Sequence, residues 1–316
     1  MQHGEMNKEK MHGMHGGMHG PISDAMTHVN YKIAIISGKG GVGKTSVVVN
    51  LAAALKKKGM EVGIFDADVH GPSVPKMVGI KTEMRDILHG SHGIDPVVTP
   101  HGLKVMSVAL IWPTEMTPIM WRGQYKARVI RQFLSSIRWH ELDFLFVDLP
   151  PGTGDEPTTI MKSIQGLDGM VVVTTPQEIS AMVCSRAINA AKELNAPILG
   201  LIENMSSYRC PECGKEEFLF GKGKGEKLAK TFKIPFLGGI PVDGQCSAAA
   251  DEGVPIVYKY PDSLSAQALL KIADEILTRL PPREKVVVKD RPWHEGRDPH
   301  KTLNEELRRE VDRKEK

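Results

Sequence analysis

Short apolar runs alternate along the chain with longer segments in which apolar residues recur at helical spacing. The apolar runs predict buried strands, and the segments between them predict helices. Because strand and helix alternate, the pattern predicts an α/β fold, with a mostly parallel sheet and helices on both of its faces. Strands are predicted at residues 31–36, 61–66, 103–110, 144–148, 171–177 and 198–202, and helices at residues 46–58, 122–139, 178–194 and 262–280.

The alternating pattern occupies residues 29–282, and both ends of the chain differ from it. Residues 1–28 are biased toward Met, His and Gly and hold few residues suited to a core, which predicts a disordered tail. The histidines and methionines of this tail either bind a soft or borderline metal ion or have no specific ligand. Residues 283–316 form a charged C-terminal tail of mixed sign.

The composition is that of a soluble globular protein, with 316 residues of which 41% are hydrophobic and 25% charged. A net charge of +3 argues against nucleic acid as the main partner. No run of about 20 apolar residues predicts a membrane span, and the N-terminus lacks the apolar core of a signal peptide. We therefore expect a cytoplasmic protein without a membrane partner. Four cysteines do not make a disulfide framework in a chain of this length.

A glycine-rich segment follows the first predicted strand and precedes the first predicted helix. Its pattern, Gly-x-x-x-x-Gly-Lys-Thr, predicts a phosphate-binding loop in this context, the alternative being a turn that binds nothing. Backbone N–H groups of such a loop converge on phosphate oxygens at the positive end of a helix. Lys44 is predicted to contact the β- and γ-phosphates, and Thr45 to ligate Mg²⁺. The predicted nucleotide-binding residues here are Gly38, Lys39, Gly40, Gly41, Val42, Gly43, Lys44, Thr45 and Ser46.

Three aspartates lie at or just beyond the ends of predicted strands, where open α/β sheets bind their ligands. Asp148 ends an apolar strand in the Walker B arrangement and is predicted to hold Mg²⁺ through water. Asp66 is predicted to assist the metal shell, and Asp68 to orient the attacking water. The alternative for Asp66 and Asp68 is a capping role for the segment that follows.

The residues after the strand at 198–202 favour adenine over guanine. Guanine-specific P-loop proteins carry Asn-Lys-x-Asp at this place, and that motif is absent. The Asn204 amide is able to pair with the donor–acceptor edge of adenine, so ATP is the expected nucleotide. Pro241 and Asp243 are predicted to close the base pocket.

Cys210 and Cys213 form a Cys-x-x-Cys pair on a segment stiffened by proline and glycine, which is how proteins present thiolates to one metal centre. Two thiolates do not complete a zinc tetrahedron or a cubane cluster, since both take four ligands. A two-fold axis would bring the pairs of two chains together in one Cys₄ site. Cys184 and Cys246 are interpreted as ordinary small buried residues.

With these residues in place, the chain resembles the Mrp/ApbC/Nbp family of iron–sulfur cluster carrier ATPases, which are P-loop NTPases of the deviant Walker A type. The resemblance covers residues 31–280. It is carried by residues 38–45, 66–73, 121–123, 148–155, 175–177, 203–206 and 210–214.

The resemblance implies a function for the whole domain. A lysine directly after the first glycine, here Lys39, marks the deviant P-loop ATPases, and in their face-to-face dimers it reaches the nucleotide of the other subunit. For this chain that implies a catalytic role for Lys39, beside those predicted for Lys44 and Asp68, with a solvated loop lysine as the alternative for Lys39. It also implies a homodimer with a bridging [4Fe-4S] cluster on Cys210 and Cys213, slow ATP hydrolysis, and partners that donate the cluster or receive it as apo-proteins.

Two other functions stay open on the sequence. The cysteine pair of an ATPase dimer binds structural zinc equally well, because thiolate sites accept both metals. The second is a positioning or partitioning ATPase. That class needs a membrane-binding amphipathic helix or a basic DNA-binding face, and the tail at residues 301–316 has neither a large apolar face nor a run of like charge. The N-terminus holds no cysteine, so a second, stable cluster like that of eukaryotic-type members is not expected.

Overall fold

The structure is a computed structural model that describes residues 26–68, 71–81, 94–111, 133–164 and 166–284. Most of the two predicted tails lies outside the described residues, as do the predicted motif at residues 121–123 and most of the predicted helix at 122–139. Where the described chain meets the tails, it still packs on the domain. Met26 is buried in the core, and Arg283 pairs with Asp168 at 2.6 Å.

Within the described residues, nine strands form one sheet in the order β3-β4-β2-β5-β1-β6-β7-β8, and β9 pairs with β7. All pairings are parallel except those of β3 with β4 and of β7 with β8. The predicted mostly parallel sheet is confirmed. The strands are β1 Val29–Ser37, β2 Val62–Asp66, β3 Val97–Val98, β4 Lys104–Ser107, β5 Leu142–Asp148, β6 Gly169–Thr174, β7 Ile198–Arg209, β8 Glu216–Glu217 and β9 Phe236–Val242.

Apolar side chains cover both faces of the sheet, which explains why its central strands are almost continuously apolar. In β1, Ile33 and Ile35 belong to one core layer, while Ala34 and Ile36 belong to the layer on the other face. Helices close both layers, as predicted. They are α1 Lys44–Lys57, α2 Val74–Met77, α3 Asp155–Ser163, α4 Glu178–Glu193, α5 Lys224–Phe232, α6 Gly244–Asp251, α7 Ile256–Lys259 and α8 Leu264–Arg279.

Each predicted strand differs by at least one residue from its observed bounds, and two of these differences have an identifiable cause. The strand predicted at residues 103–110 ends at Ser107 and continues as a 3₁₀ helix, Val108–Ile111, because the Ser107 hydroxyl accepts a hydrogen bond from the Ala109 N–H at 3.1 Å. The strand predicted at residues 198–202 continues to Arg209. It does so because its far end pairs with β8 on one side and with β9 on the other.

The long β7 strand matters for the site, because it carries the chain from the core of the sheet to the cysteine pair. Its buried first half ends at Glu203, and its second half is half-buried and reaches the surface at Arg209. In the described part of the chain no helix is long and apolar enough to span a membrane.

Candidate functional site

The glycine-rich loop joins β1 to α1, as predicted, and its shape depends on residues without side chains. Gly43 is the N-cap of α1 with φ of 78°, in the left-handed region where a side chain is strained. A Cβ at Gly43 would also collide with the Asn204 amide. That amide donates to the Val42 carbonyl at 2.8 Å, so Asn204 braces the loop directly.

Lys44 and Thr45 both contact Asp148 at the carboxyl end of β5. The Lys44 ammonium forms an ion pair with one carboxylate oxygen, and the Thr45 hydroxyl donates to the other at 2.7 Å. Both Lys44 and Asp148 are buried. Burial raises the pKa of Asp148, and the Lys44 charge opposes that rise. The contacts place a hydroxyl and a carboxylate side by side, which are oxygen ligands of the kind that Mg²⁺ takes.

Asp66 lies beside Asp148, because these residues are in register in the neighbouring strands β2 and β5. The Asp66 carboxyl is fully buried and accepts from the Ser107 hydroxyl at 2.9 Å and from the Asp68 N–H at 3.2 Å. Burial, together with the charge of Asp148, raises the pKa of Asp66 to about 8. A divalent cation beside the two carboxyls would favour their ionised forms. Asp68 itself is half-buried at the same edge of the sheet.

Lys39 extends toward the first turn of α4. Its ammonium donates to the Gln177 side-chain oxygen at 2.9 Å, and its carbonyl accepts from the Ser37 hydroxyl at 3.0 Å. Beside it, a Cβ on Gly38 would lie 2.5 Å from the backbone nitrogen of Cys184, so the loop packs directly on α4. The trans role of Lys39 stays a prediction.

The residues predicted to close the base pocket lie at the end of β9 and the start of α6. The Pro241 carbonyl accepts from the Ser265 hydroxyl at 2.9 Å. The Asp243 carboxylate accepts from the Gln245 N–H at 2.9 Å and so caps α6. Close by, the Ser46 hydroxyl is 3.5 Å from the sulfur of Cys246. A contact of Pro241 or Asp243 with the nucleotide stays a prediction.

A cavity of 510 Å³ lies between this region and the cysteine pair. It is open to solvent and mixed in polarity, and its walls include strand residues near Asn204 as well as residues of the cysteine turn. The lining residues are Ser206, Ser207, Arg209, Gly214, Glu216, Gly239, Pro241 and Leu264.

The cysteine pair occupies the turn of a hairpin between β7 and β8. The Cys210 N–H donates to the Lys215 carbonyl and the Gly214 N–H to the Cys210 carbonyl, both at 2.9 Å. The Arg209 guanidinium closes the turn by donating to the Gly214 carbonyl at 3.2 Å. Cys210 is half-buried and Cys213 is exposed. The described residues contain no group of three or more His, Cys, Asp or Glu side chains able to hold a metal ion.

The four thiols differ in their environments. Backbone N–H groups of Cys213 and Glu212 lower the pKa of Cys210. Burial raises the pKa of Cys184 and of Cys246. Cys184 is buried as expected, whereas Cys246 is only half-buried, because it lies at the surface of α6 against Ser46. Of these three thiols, Cys210 alone has a lowered pKa, which favours it as a thiolate ligand.

Comparison with known proteins identifies the family. The family model described as "ParA: NUBPL iron-transfer P-loop NTPase" matches residues 28–277. The chain belongs to this family. The P-loop NTPase fold and the resemblance to iron–sulfur cluster carriers are both confirmed.

Relatives of the chain carry consistent names. The chain is 48% identical over 259 residues to the "Iron-sulfur cluster carrier protein" of Methanocaldococcus jannaschii, covering 82% of this chain and 88% of that one. It is 45% identical over 252 residues to the protein of the same name from Saccharolobus solfataricus, covering 80% and 84%.

Solved structures agree with the family. An Archaeoglobus fulgidus nucleotide-binding protein in complex with ADP matches with a TM-score of 0.65 and 39% identity, covering 75% of this chain and 92% of that one. The Pyrococcus furiosus cell division ATPase MinD matches with a TM-score of 0.60 at 24% identity, over 79% and 99%, and shows the fold alone.

Three contacts of the site were not predicted from the sequence. Gln177 contacts Lys39, Ser107 contacts Asp66, and the buried carboxylate of Glu203 accepts from the N–H of Gly225 at 2.5 Å. The sequence singled out Gln177 and Glu203 only as members of the motifs at residues 175–177 and 203–206, without a contact for either. The partners of Gln177 and Ser107 are distant in sequence, so nothing local indicates these contacts.

The pKa differences predict an order of thiol reactivity in metal-free protein. Because the thiolate is the reactive form, Cys210 should reach half-maximal alkylation by iodoacetamide at a lower pH than Cys246. Mass spectrometry of chelator-treated protein alkylated for short times across a pH series measures this for each cysteine. A Cys210 midpoint at or above that of Cys246 would contradict the proposed role of the hairpin N–H groups.

Proposed function

We propose that this chain binds and hydrolyses ATP with Mg²⁺, holds a [4Fe-4S] cluster between two copies of itself, and delivers that cluster to apo-proteins. The observation that carries the proposal is that one strand, β7, contacts the nucleotide loop through Asn204 and ends at the cysteine hairpin. The names of the relatives support the cluster as cargo. The reactive thiols of such a carrier fit a reducing compartment such as the cytoplasm.

The nucleotide chemistry rests on the residues around Asp148. Lys44 moves its charge from Asp148 to the β- and γ-phosphates when the nucleotide binds, while the backbone N–H groups of the loop hold the same phosphates. Thr45 and Asp148 would hold Mg²⁺, with Asp66 assisting, and the ion would neutralise charge on the phosphates. Asp68 orients the attacking water. Asn204, Pro241 and Asp243 form the adenine pocket.

Lys39 completes the site of the other copy. Its hydrogen bond to Gln177 connects it to the exposed first turn of α4 rather than to the interior of its own phosphate loop. A cation that arrives from a second subunit stabilises charge in the transition state in the manner of an arginine finger. Because each subunit supplies Lys39 to the site of the other, hydrolysis depends on dimer formation.

The two lysines are predicted to have separable effects. Lys44→Ala should abolish ATP binding, because it removes the main cationic contact with the phosphates, whereas Lys39→Ala should bind ATP and fail to hydrolyse it. An equal mixture of Lys39→Ala and Asp68→Ala protein should regain about one quarter of wild-type turnover, since half of the dimers are mixed and each has one complete site. Phosphate release measures turnover. No recovery, with subunit exchange demonstrated, would exclude a trans role for Lys39.

The cysteine hairpin supplies half of the cluster site. Cys210 and Cys213 of two copies provide the four thiolates of a [4Fe-4S] cluster. A site that is exposed and shared between chains loses its metal readily, which suits a carrier and not a structural centre. Structural zinc at the same four thiolates is the competing outcome of the test.

Anaerobic reconstitution with iron and sulfide distinguishes the two metals. About four irons per dimer and a brown colour are expected. Cys210→Ala and Cys213→Ala should each lose the colour while keeping ATP binding, and Cys184→Ala is the matched control that should keep both. Metal analysis and sizing provide the readout. A full cluster on a monomer, or zinc that iron never displaces, would overturn the bridging cluster.

An exposed apolar surface supports the homodimer. We use this name for Ile179 and Met182 on α4 together with Phe218, Leu219 and Phe220 after the hairpin, all of which are exposed. The two parts adjoin, because a Cβ on Gly221 would lie 3.1 Å from the Pro176 carbonyl. Along the chain, one part of the surface begins two residues after Gln177, which contacts Lys39, and the other part directly follows β8 of the cysteine hairpin. A second copy packed on it would receive Lys39 and meet Cys213 at once.

A charge in this surface should therefore weaken dimer formation. Met182→Glu is expected to weaken ATP-dependent association by about tenfold or more, because it places an unpaired charge in a desolvated contact. Val98→Glu is the matched control, since Val98 is also exposed but lies on β3, far from β7 in the strand order. Sedimentation velocity with a non-hydrolysable ATP analogue measures both. Equal association of the two variants would remove the surface from the interface.

A further inference from the structure

Glu203 is a buried carboxylate that the proposed chemistry does not use. It is 4% exposed and lies at the end of the buried half of β7. Its carboxylate accepts hydrogen bonds from the backbone N–H groups of Gly225, at 2.5 Å, and of Gly223. A buried carboxylate that accepts from backbone N–H groups of another element helps to position that element, because leaving it without partners costs free energy.

The element that Glu203 holds is the N-terminus of α5. The N-cap residue of this helix is Gly223, which has no side chain with which to cap it. Glu203 supplies from β7 the negative group that a helix N-terminus favours. The contact is close as well as charged. A Cβ on Gly225 would lie 2.8 Å from the Glu203 carboxylate and 3.1 Å from a methyl group of Leu201.

The segment with the cysteine pair is thereby tied to β7 at both of its ends. It leaves the strand at Arg209, makes the hairpin turn, and returns to the strand where Glu203 holds Gly223 and Gly225. The position of Cys210 and Cys213 relative to the sheet therefore depends on both attachments. The first is covalent, and the second combines the Glu203 contact with the packing of Leu228, Ala229 and Phe232 of α5 in the core.

Asn204, the residue after Glu203, connects β7 to the phosphate loop. Asn204 donates to the Val42 carbonyl and lies against Gly43, in the loop that receives the phosphates. Successive side chains of a strand point to opposite sides, and here Glu203 holds α5 while Asn204 holds the phosphate loop. A shift of the loop on nucleotide binding would act on Asn204 through this contact, and a single peptide connects Asn204 to Glu203.

We propose that Glu203 is a positioning residue that, with Asn204, transmits occupancy of the phosphate loop to the placement of Cys210 and Cys213. The inference rests on the proposed function, since it concerns regulation of the proposed cluster site by the proposed nucleotide. In this proposal, nucleotide binding changes the placement of the thiols through contacts within one chain, independently of any change in how two copies pack.

Thiol accessibility tests this without a cluster. In metal-free protein, alkylation rates of Cys210 and Cys213 are compared without nucleotide, with MgADP and with a non-hydrolysable MgATP analogue. Wild-type protein should show a change of about threefold or more between nucleotide states. Glu203→Ala should lose that change while its nucleotide affinity stays within about threefold of wild type. Glu203→Gln should keep part of it, because the amide oxygen still accepts from the Gly225 N–H.

Two further variants separate this role from a merely structural one. Gly225→Ala places a methyl group against the Glu203 carboxylate in a helix that alanine otherwise favours, so it should lose the nucleotide response without loss of helix stability. Glu178→Ala is the matched control, because the exposed Glu178 carboxylate contacts Lys224 of the same helix at 3.5 Å. It should respond as wild type does.

The positioning role of Glu203 and the proposed function are contradicted by different results. A wild-type response in both Glu203→Ala and Gly225→Ala, or no response in wild-type protein that binds nucleotide, would overturn the positioning role. Either result leaves the carrier function standing if the cluster reconstitutes. If instead the wild-type chain binds no nucleotide or assembles no cluster, the proposed function itself fails.

Discussion

The buried ion pair between Lys44 and Asp148 is the contact on which the candidate site depends. It joins the first turn of α1 to the end of β5, and through Asp148 it also positions the Thr45 hydroxyl. A buried ion pair contributes little net stability, but removing one partner costs about 3–5 kcal/mol because a buried charge is left alone. The pair is therefore best understood as a functional arrangement that the surrounding core tolerates.

The parallel sheet is what makes that arrangement possible. The carboxyl ends of β1, β2 and β5 lie side by side, so the phosphate loop, Asp66 and Asp148 meet at one edge although they are distant in sequence. Helices cover both faces of the strands, and water is therefore kept from the aspartates. The same burial, together with the charge of Asp148, raises the pKa of Asp66 to about 8, and a divalent cation at this edge would favour the ionised carboxyl.

β7 connects this edge of the sheet to the protein surface. Its first half is a buried central strand, and its second half leaves the core and supports the cysteine hairpin. Two adjacent residues of β7 make these connections. Glu203 contacts α5, the helix after the hairpin, and Asn204 contacts the phosphate loop. The exposed apolar surface adjoins the same hairpin, so β7 connects the phosphate loop, the cysteine pair and this surface.

The sequence by itself determined the fold class and the chemical groups of the site. Alternating apolar runs and helical segments indicated the parallel sheet, and the spacing of Gly38, Gly43, Lys44 and Thr45 indicated the phosphate loop, because these features depend on neighbours along the chain. Only the tertiary structure decided the pairing of Lys39 with Gln177, of Asp66 with Ser107 and of Glu203 with Gly225. It also decided that β7 continues to Arg209. Each of these depends on residues that strand order and helix packing bring together, and local pattern carries no information about such contacts.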